Sequence, residues 1–202
     1  MRCAVAVAPL RAEPRDDAEQ VTQALGGEPL QLERLEDGWA LVRTAYDYPG
    51  WVRAESIEEG EGLLVADAVG TPVEVARGYL GVPYLWGGMT EAGIDCSGLV
   101  HMSFRRLGRL VPRDADQQEA AGAAVEELEP GDLVTYGDEW ADHIAFWLGD
   151  GRILHATGRD GGIGVVEELE PASLRARRRL FVRFSGEAGR VGGAPSFGSI
   201  FR

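Results

Sequence analysis

Between Tyr84 and Gly108 the chain passes from a glycine-punctuated loop into a helix, and that junction constrains the rest of the fold. Gly87, Gly88 and Gly93 lead the backbone to Asp95, a residue suited to capping a helix N-terminus. From Cys96 onward, Leu99, Val100, Ser103, Phe104 and Leu107 recur at the spacing of one mostly apolar helix face. Arg105 and Arg106 fill the last turn and Gly108 stops it. Cys96 is thereby predicted in the first turn, where free backbone N–H groups and the positive end of the helix dipole favour an anion. That position lowers a thiol's pKa and suits a nucleophilic thiolate. The alternative is a small buried cysteine with a packing role.

Cys3 and Cys96 are the only cysteines in 202 residues, so the chain implies no disulfide framework and a reducing compartment is the simpler expectation. The opening Met-Arg-Cys-Ala-Val-Ala-Val-Ala-Pro-Leu is short, lacks a clear cleavage site and reads as a first strand rather than an export signal. No run is long enough to span a membrane. These features predict a soluble, cytoplasmic protein with no membrane partner. The net charge of −13, from 20 basic and 33 acidic residues, argues against nucleic acid as a partner. The basic cluster Arg175 with Arg177–Arg179 reads as a solvated strand entry.

Residues 1–60 read as all-β. Val5 and Val7 alternate with small residues, Leu30 and Leu32 with polar ones, and Gly38-Trp39 and Gly50-Trp51 each open a short apolar run. Turn signals at Gly26-Gly27, Asp37-Gly38 and Pro49-Gly50 divide these runs into the short strands of a small barrel. Asp37-Gly38-Trp39-Ala40-Leu41-Val42 and Tyr48-Pro49-Gly50-Trp51-Val52 resemble bacterial SH3-like domains, with both tryptophans read as core. Residues 61–70 follow as a linker. A helix then begins with a capping box, Thr71 before Pro72 with Glu74 three residues on, and is expected to bury Val73, Ala76 and Leu80 before Gly81 ends it. Pro112–Gln118 is polar, and the small residues of 120–124 define no element.

From Leu133 the pattern becomes β again, in the runs 133–136, 143–148, 152–156 and 180–184. Gly149-Asp150-Gly151 marks a hairpin between the middle two. A three-residue loop there opposes Ala145 to His155 and places His143 diagonal to His155 on one face, within ring-to-ring reach. A two-residue loop puts the histidines on opposite faces. In the first arrangement one histidine can deprotonate Cys96 and reprotonate a leaving amine. His155, as the orienting member, must then be a neutral imidazole that accepts a hydrogen bond. Zinc on Cys96, His143 and His155 is the competing arrangement, but no CxxC or HExxH spacing supports it, and neither metal nor cofactor is expected. His101 does not share the face of Cys96 and reads as structural.

The segments Pro83-Tyr84, Trp86-Gly87-Gly88, Gly93 to Leu99, Pro112 to Gln118, Glu129 to Leu133, His143-Ile144-Ala145 and Ile153 to Ala156 together resemble the NlpC/p60 cysteine peptidases. The resemblance implies an α+β fold, a papain-like catalytic domain over 71–185 behind the SH3-like barrel; the tail over 186–202, rich in Gly, Ser and Ala, reads as loose. It implies Cys96 as nucleophile, His143 as general base and His155 as orienting residue. Tyr84 and the Cys96 N–H are then placed near the oxyanion. The implied substrate is a murein tri- or tetrapeptide, cleaved at the amide between D-γ-glutamate and a diamino acid. The order of domains further implies a cleft narrowed by the barrel and selective for a free L-alanine amine. Asp114, Asp95 and Ser97 are the implied recognition residues, with Glu19 and Tyr48 from the barrel. Alternatives from the same residues are a hydrolase of intact peptidoglycan and an inert wall-peptide binding module.

Overall fold

The computed structural model describes residues 1–159 and 163–184. The 186–202 tail, with Phe197, Ile200 and Phe201, lies outside the described residues. The amino-terminal unit is built from strands β1 (Arg2–Cys3), β2 (Val7–Arg11), β3 (Gln20–Leu25), β4 (Leu30–Glu36), β5 (Trp39–Thr44), β6 (Pro49–Arg53) and β7 (Ile57–Glu58). Five of them form a sheet in the order β3-β2-β6-β5-β4, and β1 pairs with β7. The β4–β5 turn places Asp37 (φ 46°) and Gly38 (φ 81°) in the left-handed region, as a two-residue hairpin requires. Alternate residues, among them Leu10, Leu30, Val42 and Val52, turn inward to a small core. Trp39 and Trp51 are buried, and the guanidiniums of Arg53 and Arg34 cover their rings.

The carboxy-terminal unit begins with α1 (Pro72–Arg77), whose capping box forms as expected: Thr71 Oγ1 accepts from Glu74 N–H, and the Glu74 carboxylate accepts from Thr71 N–H. The helix is shorter than its sequence suggests. It ends at Arg77, and turns carry the chain to Gly81, so Val75, Ala76 and Tyr79 are buried while Leu80 faces solvent. The following elements are β8 (Met89–Thr90), β9 (Gly93–Ile94), α2 (Cys96–Arg105), α3 (Ala115–Ala121), β10 (Ala123–Ala124), β11 (Leu133–Tyr136), β12 (His143–Gly149), β13 (Arg152–Thr157), β14 (Gly164–Leu169), α4 (Ala172–Arg175) and β15 (Arg178–Arg183).

Among the described residues, six strands form one antiparallel sheet in the order β10-β15-β11-β12-β13-β14. α2 packs Leu99, Val100 and Phe104 on the Ile144, Phe146 and Leu154 side of this sheet. Phe104 stacks at 6.3 Å on Phe146, a contact whose truncation to alanine costs about 3–5 kcal/mol in a closed core. The arginine cluster keeps its solvent contact, as expected, but is also ion-paired. Arg175 and Arg178 grip the fully buried Glu170, and Arg179 pairs with Glu119, because a carboxylate enclosed by the sheet needs cationic partners.

The two units are docked chiefly through β3 and its approaches. Gln23 Oε1 accepts from Met89 N–H, Thr22 Oγ1 accepts from Arg113, and Gln20 Nε2 donates to the Trp86 carbonyl. Glu28 of the barrel and Arg105 of α2 form a buried ion pair at 3.2 Å. No helix of the described residues is long and apolar enough to cross a membrane.

Candidate active site

Asp95 caps α2 by accepting from the Gly98 N–H at 2.6 Å, which places Cys96 in the first turn. A Cβ on Gly98 would come within 2.4 Å of the Gly88 carbonyl, so this tight passage of loop against helix requires glycine there. The Cys96 side chain lies against the start of β12, with the backbone N–H groups of Ile144 and Ser97 directed at the thiol.

The hairpin that brings the histidines together differs from both simple alternatives. The turn has two central residues, Asp150 (φ 51°) and Gly151 (φ 72°), closed by Gly149 opposite Arg152. A register irregularity between Trp147 and Gly149 then absorbs one residue, and Trp147 opposes Ile153. That bulge restores the register of a three-residue loop. His143 and His155 therefore share a face, and His143 Nε2 lies 2.8 Å from His155 Nδ1 with the rings nearly perpendicular.

The electrostatics of the site run against the expected thiolate. Enclosure pushes the Cys96 thiol up to about 12, and the charge of Asp95 adds to the effect. The N–H groups of Ile144 and Ser97 and the nearby Arg113 oppose it without prevailing, because loss of hydration for a fully enclosed thiolate outweighs the helix terminus. Burial likewise pulls His143 down to about 3, with His155 and Arg177 contributing. Burial thus favours the neutral thiol and the neutral imidazole over the ion pair. Proton transfer belongs to the moment of attack.

Cys96 opens into a cleft of about 350 Å³. Glu19, Tyr48, Tyr84, Asp95, Ser97 and Asp114, the residues singled out from the sequence, all line it. The ring of Tyr84 packs so close to the Gly158 backbone that a Cβ there would approach its Cδ1 to 2.9 Å. Tyr48 Oη donates to Asp114 Oδ2 at 2.8 Å, and Trp86 Nε1 donates to Glu19 Oε1 at 2.7 Å.

Asp95 is placed in the cleft wall but differently employed. Its two oxygens accept from Gly87 N–H, Gly98 N–H, Ser97 Oγ and both terminal nitrogens of Arg113. Its charge and lone pairs are thus committed to the protein, and the other carboxylates lining the cleft are Asp114, Glu19, Asp116 and Asp142, the last paired with Arg177. Sequence reasoning named neither Arg113 nor Glu168 as site residues. Arg113 stood within the Pro-Arg-Asp motif. Glu168 could have been found only from a strand over 164–169, where Glu168 opposes Ile153 and so neighbours His155 diagonally. His101 is structural as read: fully buried, its Nδ1 lies 2.8 Å from the Val111 carbonyl.

Residues 81–177 match the NlpC/P60 family, and residues 10–57 match the bacterial dipeptidyl-peptidase Sh3 domain. Over 164 residues the chain is 29% identical to a gamma-D-glutamyl-L-lysine dipeptidyl-peptidase of Bacillus subtilis, covering 75% of this chain and 53% of that protein. Over 113 residues it is 36% identical to the peptidoglycan endopeptidase RipB of Mycobacterium tuberculosis, covering 48% and 47%. The chain thus spans about half the length of these curated relatives. A crystal structure of an NlpC/P60 family protein from Bacillus cereus superposes with a TM-score of 0.53, over 90% of this chain and 62% of that one, at 22% identity. That likeness is one of fold.

Proposed function

The chain carries an NlpC/P60 cysteine-peptidase domain behind an SH3 domain of the bacterial dipeptidyl-peptidase type, and we propose that it hydrolyses the γ-D-glutamyl–diamino acid amide of murein peptides bearing a free N-terminal L-alanine. The observation that carries this reading is the shared cleft: the Cys96 thiol and the Tyr48–Asp114 pair line one cavity, the barrel supplying Tyr48 and Glu19. An ammonium group enclosed there needs a carboxylate partner, and Asp114 and Glu19 supply it.

In the mechanism, Cys96 is the nucleophile and His143 takes its proton as sulfur attacks the amide carbonyl. The oxyanion forms at the first turn of α2, where the Cys96 N–H is a donor and the Tyr84 hydroxyl is a second candidate. His143 then gives the proton to the departing amine, and the same base activates the water that releases the acyl group. Substrates of this kind are released murein peptides, so the reading places the protein in cytoplasmic recycling of cell-wall peptides.

The test is mass spectrometry of L-Ala-γ-D-Glu-diamino acid peptides, free and N-acetylated, with Cys96→Ala as control. Cleavage of the free peptide alone, lost in Cys96→Ala, supports the proposal. Cleavage of both forms replaces it with a hydrolase of intact peptidoglycan. Binding without cleavage by the parent chain replaces it with a binding module.

A further inference from the structure

Beyond the two histidines lies a third polar group that the cysteine–histidine pair does not itself require. Glu168 stands on β14 on the face of Val166, which opposes His155 across the ladder. Its Oε1 lies 3.0 Å from His155 Nε2. Arg159 donates to both oxygens of Glu168 at 3.0 Å, which secures the carboxylate in its ionised, acceptor-only form.

We infer that Glu168 is a positioning residue that sets the tautomers of both histidines, and thereby leaves His143 Nδ1 free to take the Cys96 proton. An ionised carboxylate can only accept, so His155 Nε2 must carry the hydrogen. A buried, neutral His155 then has a lone pair on Nδ1, which the 2.8 Å contact presents to His143 Nε2. His143 Nε2 must donate, and its Nδ1 is left as the base. If His155 took the other tautomer, His143 would present Nδ1–H to the thiol and could accept nothing. Among the described residues, the groups near this chain from neighbouring elements are the Tyr136 ring, 5.7 Å from that of His143, and the cations Arg177 and Arg159. None of them supplies a carboxylate in place of Glu168: Tyr136 Oη is held on Glu170, to which it donates, and the other two are cations.

The inference rests on the cysteine-peptidase reading, and its test needs no substrate. The chain has three histidines, so ¹⁵N-labelled imidazoles can be assigned, with His101 as a reference for the Nδ1–H form because its Nδ1 faces a carbonyl. The wild-type protein is expected to show Nε2–H on both His143 and His155; Nδ1–H on His155 would overturn the inference before any variant is made. Glu168→Ala is expected to mix the tautomers and slow iodoacetamide alkylation of Cys96, followed on its own peptide, by about tenfold or more, within the usual range for a positioned base. Glu168→Gln, whose amide oxygen still accepts, is expected to keep the tautomers and recover alkylation to within about threefold. Unchanged tautomers in Glu168→Ala, or equal slowing in both variants, would reduce Glu168 to an anchor for Arg159. A protein that keeps the tautomer chain but cleaves no murein peptide would remove the substrate reading alone.

Discussion

The phenol of Tyr48 donates a 2.8 Å hydrogen bond to Asp114 across 66 residues of chain, from the SH3-like barrel to the N-cap of α3. The contact joins the two units at the wall of the cleft that holds Cys96.

Removing this link should alter selectivity before folding. Asp114→Asn is expected to raise KM for a free-amine peptide by about tenfold to a hundredfold, the value of a hydrogen bond to a charged group. Tyr48→Phe should cost about tenfold or less, since Asp114 keeps its charge. Kinetics on free and N-acetylated peptides check both; an unchanged ratio of kcat/KM values in Asp114→Asn would remove Asp114 from amine recognition.

The pH profile should lack a histidine limb. With His143 near 3 and Cys96 near 12, the resting thiol–imidazole pair does not titrate in the neutral range. Burial raises Asp114 above its ordinary value, and amine binding needs it ionised, so kcat/KM falls as acid protonates it. The alkaline fall comes from the substrate's own α-amine, near about 8. The expected acid limb belongs to Asp114, lies above the ordinary aspartate range, and weakens in Asp114→Asn. A limb at ordinary histidine values in both proteins would contradict the neutral resting pair.

Stability should fall with acidification earlier than carboxylates alone would cause. His101 is held near 3 in the fold by burial and by the neighbouring Arg105 and Arg113, and it titrates near about 6.5 when unfolded. Between those values the unfolded chain binds more protons, so stability is full above about pH 6.5 and drops below it by up to about 1.4 kcal/mol per pH unit for each such group. His101→Asn should lessen that slope by about one group's share. Urea denaturation at a series of pH values measures it.

The Glu28–Arg105 pair should hold the barrel to α2. Both side chains are almost wholly enclosed, Glu28 Oε2 receives both guanidinium nitrogens, and Glu28 Oε1 has no partner among the described residues. Glu28→Ala strands a buried cation and should cost about 3–5 kcal/mol in urea unfolding. Glu28→Ala with Arg105→Met should recover most of that loss, because the unpaired charge goes with it.

Much of this was legible locally. The Thr71 and Asp95 caps, the helix from Cys96 and the runs around His143 and His155 carry short-range periodicities that no distant contact needs to supply. α3 was not legible: beyond its three alanines it is polar, and its buried polar member, Gln118, is held by donating to the Ser97 and Pro112 carbonyls rather than by apolar packing. β14 escaped because Glu167 and Glu168 interrupt the expected alternation, and their partners, Arg77 and the Arg159–His155 pair, lie far away or on another strand.

The sequence by itself determined that Cys96 begins a helix and that two histidines lie on adjoining strands, since capping and pleat alternation act over a few residues. Only the tertiary structure decided the hairpin bulge that gives the histidines one face, the placing of Tyr48 and Glu19 in the cleft wall, and the commitment of Asp95 to Arg113. It also opposes the thiolate. The helix terminus that favours a thiolate is a local property, whereas the loss of water that disfavours it arises from everything packed around Cys96.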